Sequence, residues 1–205
     1  RDLGLTRSGL QELGAELGSD VPFCLAGGCA IATGRGEEVD VLSKTPQLVA
    51  VLAKYTSLSV STPWAYKNYR EQFGHTYLDL NRPQTLETRK SRIHADKMIE
   101  AVSTKNGVKM GQHLHNDLEK AVLPAHAKVA TLKTVMTEIA SKYSGLGTMM
   151  SGSGPTVFSL TESLVEAGNI QRKVRSHFND PDLQDLIAPF TRHGIAVQPS
   201  SSSVL

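Results

Sequence analysis

The sequence has 205 residues, 40% of them apolar and 20% charged, and its 22 basic and 20 acidic side chains give a net charge of +2. This composition excludes a disordered chain. The near balance of charge argues against a dedicated nucleic-acid binder, which needs a basic stripe. No apolar run reaches the roughly 18 residues of a membrane span. The length allows one large or two small domains.

The two cysteines, Cys24 and Cys29, lie among small apolar residues. A zinc site needs further ligands, and a second cysteine pair is missing. We therefore expect two small buried residues in a reducing compartment.

Two helices are predicted at the start of the chain. Thr6 is expected to cap the first, whose leucines recur at spacings of three and four, and Gly18 is expected to end it. Ser19 is expected to cap a shorter second helix, with Asp20 in its first turn and Gly27 near its end.

A strand-rich stretch follows. Two short strands are predicted about a turn at Gly34 and Gly36. The run "PQLVAVLAKY" over residues 46–55 predicts a buried strand, because it is continuously apolar and bounded by Pro46 and Lys54. We place a domain boundary before it, between residues 45 and 46.

The middle of the chain is predicted to be largely helical. Thr62 is expected to cap a helix whose first residue is Pro63. Residues 75–91 are polar and predict a loop, and residues 92–106 predict a helix that ends near Gly107. Between residues 108 and 145, two helices are expected, split around Pro124.

The last third returns to mixed structure. The stretch "TMMSGSGPTVFSL" predicts a glycine-rich turn that enters a strand at residues 156–160. A helix is predicted over residues 164–178 and a last strand over residues 193–199. Because strands and helices alternate without a regular βαβ period, we predict an α+β fold with a largely antiparallel sheet.

Three segments could carry chemistry. The loop of Gly152, Ser153 and Gly154 lets the backbone approach a phosphate closely, although many tight turns share this pattern. The helix start at Pro63 favours anions. The aromatic residues Trp64 and Tyr66 that follow offer faces for stacking on a base or for core packing.

Asp20 is the third candidate, at the start of an apolar helix and beside a glycine turn. A carboxylate there either complements the helix dipole or orients and deprotonates an alcohol. His113 and His115 lack a further metal ligand and predict a helix surface. Asn116 and Asp117 are expected on a helix, facing a hydrogen-bonding partner in the fold or a cleft.

Four stretches, taken in this order, resemble the GHMP kinase superfamily. They are "LGSDVPFCLAGGCAIATGRGEEV" at 17–39, "SVSTPWAYKNY" at 59–69, "NDLE" at 116–119 and "MMSGSGPTVF" at 149–158. The resemblance runs from about residue 5 to residue 197. It is strongest to the branch that phosphorylates the 2-hydroxyl of 4-diphosphocytidyl-2-C-methyl-D-erythritol in non-mevalonate isoprenoid biosynthesis.

The resemblance implies roles for individual residues. Asp20 matches the catalytic aspartate that activates the substrate hydroxyl, and Tyr66 matches the aromatic residue that stacks on the cytosine ring. Thr62 and Pro63 match the loop beside the nucleotide part of the substrate. The segment Gly152, Ser153 and Gly154 matches the glycine loop that abuts the phosphate-binding loop.

The resemblance also implies partners and domains. ATP and Mg²⁺ are the implied cofactors, and the small cytidine substrate is the implied partner, with no nucleic acid and no membrane. Residues 1–45 would be the tail of the N-terminal domain and residues 46–205 the C-terminal domain, with the active site in the cleft between them. The implied location is the bacterial cytoplasm or the plastid stroma.

The sequence departs from the family pattern at its start. The glycine- and serine-rich phosphate loop, the lysine that pairs with the aspartate and a second aromatic residue on the cytosine are all missing. We therefore expect a fragment of a longer kinase that by itself binds ATP poorly and turns over negligibly. The alternatives are a non-catalytic binding module derived from the kinase and another GHMP small-molecule kinase, acting on homoserine or mevalonate derivatives.

Overall fold

The fold is described from a computed structural model, which covers residues 4–42, 46–76 and 95–195. The backbone divides into two compact units. The first contains the chain up to Pro46 and the chain from Phe190 onward, and the second contains Gln47–Pro189. The first break lies one residue from the predicted boundary. The assignment of the parts to kinase domains stays a prediction.

The first unit begins with two helices, α1 (Arg7–Leu17) and α2 (Val21–Ala26). Thr6 caps α1 through its side chain, and Gly18 ends it, as predicted. The helices pack closely at Gly14, where an added Cβ would lie 3.1 Å from both Val21 and Leu25 side chains. The expected cap of α2 at Ser19 is wrong, because Asp20 is the residue that precedes its first turn.

A two-stranded antiparallel hairpin follows in the same unit. Its strands are β1 (Ala30–Thr33) and β2 (Glu38–Val41). The turn contains Gly34 and Gly36, both with positive φ, which confirms the predicted turn chemistry.

The cysteines do not follow the sequence prediction. Cys24 is exposed and Cys29 is half-buried, so the expectation of two buried thiols is wrong. The short helix α2 turns its buried side through Pro22 and Ala26, and this register leaves Cys24 outside.

The second unit is built on a four-stranded antiparallel sheet. Its order is β4 (Gly147–Met150), β5 (Val157–Thr161), β3 (Val49–Tyr55) and β6 (Leu183–Pro189). Strand β3 lies inside the sheet, and all its residues are buried or half-buried, as its continuous apolar run predicts. The observed strands and helices confirm the α+β class.

The helices of this unit pack against the sheet or against one another. They are α3 (Thr62–Phe73), α4 (Ala95–Ser103), α5 (Gly107–Gln112), α6 (Glu119–Ala125), α7 (Ala127–Lys142) and α8 (Leu164–Phe178), and a 3₁₀ turn covers Gly74–Thr76. The core contains Leu132 and Met136 of α7, Ile170 of α8 and Val51 of β3, all fully buried.

Several predicted boundaries in this unit need correction. Gly107 begins a helix capped by Asn106 and does not end one. Pro124 lies inside α6, near its end, and residues 107–145 hold three helices where two were predicted. The predicted loop over residues 75–91 falls mostly outside the described residues.

The end of the chain also differs. Strand β6 was not predicted, and residues 193–195 are not a strand, while the rest of the predicted last strand lies outside the described residues. The peptide N–H of Ile195 donates instead to the carbonyl of Cys24 at 3.0 Å, within the first unit.

Candidate functional site

The N-terminus of α3 contains the first group of predicted site residues. Ser61 is the N-cap, and its hydroxyl accepts from the N–H of Trp64 at 3.4 Å. The predicted cap at Thr62 is therefore wrong by one residue. Because Ser61 takes the capping role, the Thr62 hydroxyl is available for another partner, and Pro63 lies in the first turn, as expected.

Trp64 and Tyr66, the aromatic residues nearest the start of this helix, turn to different surroundings. The Trp64 ring packs edge-to-face against His126, with ring centroids 5.2 Å apart. The side chain of Tyr66 is 55% exposed. Trp64 therefore has a packing partner, whereas the Tyr66 ring is open to a ligand.

The glycine-rich loop lies between β4 and β5. Gly152 and Gly154 both have positive φ, of 53° and 79°. The loop is closed by two backbone hydrogen bonds, from Ser151 N–H to the carbonyl of Thr156 and from Gly154 N–H to the carbonyl of Ser151, each 2.8 Å. At Gly154 the positive φ favours glycine, and an added Cβ would also lie 2.7 Å from the sulfur of Met150.

The structure brings the helix start and the loop together. The hydroxyls of Thr62 and Ser153 are 2.8 Å apart and form a hydrogen bond, although 91 residues separate them in sequence. In the described part of the chain, the N–H groups of Gly152 and Ser153 have no hydrogen-bond acceptor. Such N–H groups suit an anionic oxygen.

Side chains of the "NDLE" segment hold this loop. Asn116 donates from Nδ2 to the carbonyls of Met150 and Gly152, both at 2.8 Å. Glu119 accepts from the N–H of Met150 at 2.7 Å and from Lys133 Nζ at 2.5 Å. The expected hydrogen-bonding partner of Asn116 is confirmed, but its expected helix is not, because α6 begins only at Glu119.

Sequence reasoning assigned no role to Glu119 or Lys133. The available signal was the position of an acidic residue three places after Asn116 in the "NDLE" motif. The partner Lys133 lies on the next helix, at a distance in sequence that no local rule covers.

The neighbouring polar residues form a separate surface cluster. Partial burial opposes ionisation of Asp117, but hydrogen bonds from Lys120 and His115 prevail and lower the pKa of that carboxyl. His115 lies in the connection between α5 and α6, and His113 is the residue that ends α5, so the predicted helix surface is wrong. Among the described residues, no group of three or more His, Cys, Asp and Glu side chains could hold a metal.

Asp20 lies in the first unit, at the residue before α2. Its side chain is exposed and makes no capping hydrogen bond. An added Cβ on Gly36 would lie 3.8 Å from Asp20 Oδ1, so the carboxylate faces the glycine turn of the hairpin, as the sequence suggested. In the apolar helix that follows Asp20, Pro22 is buried whereas Phe23 is exposed.

A protein-family model matches part of the second unit. Residues 98–180 match the family model described as GHMP kinases C terminal. This part of the chain, which lies within the second unit, therefore matches the C-terminal domain of GHMP kinases.

Relatives with similar sequences carry the name of one particular kinase. The chain is 50% identical over 196 residues to the 4-diphosphocytidyl-2-C-methyl-D-erythritol kinase of Gloeothece citriformis, covering 96% of this chain and 60% of that protein. It is 50% identical over 198 residues to the enzyme of the same name from Nostoc punctiforme, covering 97% of this chain and 61% of that protein. The chain thus spans about 60% of the length of these relatives.

Solved structures share the fold. A crystal structure of 4-(cytidine 5'-diphospho)-2C-methyl-D-erythritol kinase matches with a TM-score of 0.60 at 23% identity, covering 88% of this chain and 56% of that one. The homoserine kinase of Cytophaga hutchinsonii matches with a TM-score of 0.60 at 19% identity, covering 85% and 51%. Both likenesses concern the fold alone. No helix within the described ranges is long and apolar enough to cross a membrane.

Proposed function

We propose that the chain forms part of an ATP-dependent kinase that phosphorylates the 2-hydroxyl of 4-diphosphocytidyl-2-C-methyl-D-erythritol in isoprenoid biosynthesis. The hydrogen bond between Thr62 and Ser153 carries this proposal. It joins the helix start expected beside the substrate nucleotide to the loop expected beside the phosphates. The names of the relatives at 50% identity support the same substrate.

The nucleotide part of the substrate would bind at the start of α3. Tyr66 is 55% exposed, and its ring can stack on a base, a contact worth about 1–3 kcal/mol per base. Thr62 and Pro63, both exposed at the first turn, would flank the rest of the nucleotide.

The loop of Gly152, Ser153 and Gly154 would support the phosphates. Two of its N–H groups lack an acceptor within the described structure. A Cβ added at Gly152 would meet no atom within 4 Å, so an anion can approach the backbone there. ATP, when bound, is the phosphoryl donor. The described residues offer no clustered metal ligands, and we assign no Mg²⁺ ligand to them.

Asp20 would accept the proton of the substrate hydroxyl. Its carboxylate is exposed and takes no part in capping, so its oxygens are available as acceptors. Phosphoryl transfer depends mainly on positioning and charge compensation, and a carboxylate that lies between a helix start and a glycine turn would contribute to the first.

Domain roles and location complete the proposal. Residues 1–45 would be the end of the N-terminal kinase domain and residues 46–205 the C-terminal domain. The enzyme would act in the bacterial cytoplasm or the plastid stroma, on a small molecule and without nucleic acid or membrane partners.

Phosphoryl transfer tests the proposal directly. The product of the complete reading frame that encodes this chain is incubated with ATP, Mg²⁺ and the cytidine substrate, and homoserine and mevalonate serve as competing acceptors. We expect phosphorylation of the cytidine substrate, and a loss of kcat of about hundredfold or more for Asp20→Asn, since general-base catalysis contributes about 10²–10⁴-fold.

Tyr66 provides a second test through binding. Tyr66→Ala is expected to raise the Kd for the cytidine substrate by about tenfold or more, while Tyr66→Phe retains binding, because only the ring face is needed. A preference for homoserine or mevalonate would assign another GHMP kinase. An inactive complete product, or one in which Asp20→Asn keeps its kcat, would refute the proposed catalytic role.

A further inference from the structure

We propose that Asn116 and Glu119 are positioning residues that fix the conformation of the glycine loop, residues 151–154. The inference deepens the proposed function and rests on it for its kinetic consequence. The conformational consequence is independent of which reaction the protein performs.

Both the NH₂ group and the oxygen of the Asn116 side-chain amide form hydrogen bonds with backbone groups. Its Nδ2 group donates to the carbonyls of Met150 and Gly152, at 2.8 Å each, and its Oδ1 accepts from the N–H of Leu118 at 3.0 Å. The two carbonyls flank Ser151, where strand β4 ends. A single NH₂ group that bonds both of them fixes the distance between them.

Glu119 binds the backbone of the same residue, Met150, at its N–H group. One carboxylate oxygen accepts from the N–H of Met150 at 2.7 Å, and the other accepts from Lys133 Nζ at 2.5 Å. The Glu119 and Lys133 side chains are only 16% and 26% exposed. Because Lys133 lies on α7, which packs into the core, the carboxylate is held in one orientation.

The loop needs such external support. Gly152 and Gly154 adopt positive φ, and glycine loses more conformational freedom on ordering than any other residue. Holding both carbonyls of Met150 and Gly152 leaves the intervening chain little freedom. The N–H groups of Gly152 and Ser153 and the hydroxyl contact of Ser153 with Thr62 are then presented in one arrangement.

Hydrogen exchange in the 205-residue chain tests the conformational part. The reporters are the N–H groups of Ser151 and Gly154, which form the bonds that close the loop. We expect Asn116→Ala to lower their protection factors by about tenfold or more, since the two hydrogen bonds to the carbonyls of Met150 and Gly152 are lost. Amides of β3 should keep their protection. The matched control is Lys120→Met, which removes an exposed ion pair of the adjacent Asp117 without touching the loop.

Asn116→Asp separates hydrogen bonding from packing. Its carboxylate would face two carbonyl oxygens without a donor, and protonation would restore one O–H donor. Loop protection in Asn116→Asp should therefore rise as the pH falls, whereas Asn116→Ala should stay unprotected. Glu119, Asp117 and His115 are ionisable groups near Asn116, and Lys120 and Lys133 form ion pairs with the two carboxylates. The wild-type chain is measured at each pH as the control for any effect of these groups on loop protection.

Glu119 offers a conservative rescue. Glu119→Gln keeps an oxygen that can accept from Met150 N–H, whereas Glu119→Ala keeps none. We expect the glutamine variant to retain most of the loop protection that the alanine variant loses. Circular dichroism and the fluorescence of Trp64 show whether each variant is folded. If Glu119→Ala does not fold, the Asn116 pair of variants and Glu119→Gln decide the question.

Kinetics of the complete reading-frame product test the catalytic consequence. Asn116→Ala should lower kcat by about tenfold or more and change the KM of the cytidine substrate by less than about threefold, because the loop would act on the transferring phosphoryl group. Unchanged loop protection in both Asn116 variants would overturn the inference. Lost protection with an unchanged kcat would overturn the catalytic consequence, and an inactive wild-type product would refute the proposed function instead.

Discussion

A double-mutant cycle on Thr62 and Ser153 measures the contact that joins the two predicted parts of the site. Their hydroxyl oxygens are 2.8 Å apart, the preferred distance for an O–H···O hydrogen bond. A neutral hydrogen bond contributes about 0.5–1.5 kcal/mol net, and we expect about 0.5–1 kcal/mol here, because Thr62 is exposed and water competes. Each of the single changes Thr62→Val and Ser153→Ala removes the bond.

The assay is urea unfolding followed by tryptophan fluorescence. The sequence has a single tryptophan, Trp64, which lies two residues from Thr62 in the same unit and packs on His126. The free energy of unfolding is measured for the wild-type chain, the two single variants and the double variant. The coupling energy is the difference between the double-variant effect and the sum of the single effects.

A second hydroxyl pair serves as the control. Thr148 and Ser159 are also 2.8 Å apart, and Ser159 is fully buried. Their cycle, with Thr148→Val and Ser159→Ala, should give a coupling at least as large, because water competes less. If the control couples while Thr62 and Ser153 are additive within about 0.3 kcal/mol, the proposed link between helix and loop is refuted.

Three further predictions concern stability. Gly168→Ala in α8 should stabilise the chain by about 0.5–1 kcal/mol, because the site has open space for a Cβ. Gly111→Ala should destabilise the chain, because its Cβ would lie 1.9 Å from the carbonyl oxygen of Leu146. Leu132→Ala should cost about 2–5 kcal/mol in the free energy of unfolding, since its side chain is fully buried. Both are measured by urea unfolding. Hydrogen bonds from Ser57 and Thr56 lower the pKa of Asp182 to about 2. The free energy of unfolding should therefore fall as the pH drops from about 4 towards 2, and Asp182→Asn should lack this loss in acid unfolding.

Each of these has a contrary outcome. Equal effects of Gly168→Ala and Gly111→Ala would contradict the described packing at residue 111. A loss below about 1 kcal/mol for Leu132→Ala would place its side chain outside a tightly packed core. An unaltered acid transition in Asp182→Asn would show that the hydrogen bonds of Asp182 with Ser57 and Thr56 do not stabilise the folded chain.

Local sequence signals were sufficient for many elements. The cap at Thr6, the end at Gly18, the hairpin turn at Gly34 and the helix over residues 164–178 were all predicted, and the structure confirms them. These features depend on residues within one or two turns of each other. Capping side chains and glycines with positive φ act over that same short range.

Local signals failed where a distant partner decided the outcome. Ser61 and Thr62 are both competent caps, and only the contact of Thr62 with Ser153 distinguishes their roles. Strand β6 was missed because Asp185 interrupts its apolar pattern. The Asp185 side chain is only 2% exposed, since it accepts from Arg175 and Gln171 of α8.

The sequence alone determined which residue types could form a site: an acid at a helix start, aromatic residues at another helix start and a glycine loop. The tertiary structure decided which of them meet. Thr62, Asn116, Lys133 and Ser153 come from different elements, and their contacts depend on sheet register and helix packing over as many as 91 residues of chain. A periodic pattern along one element cannot specify such contacts, because it records only which side of that element is buried.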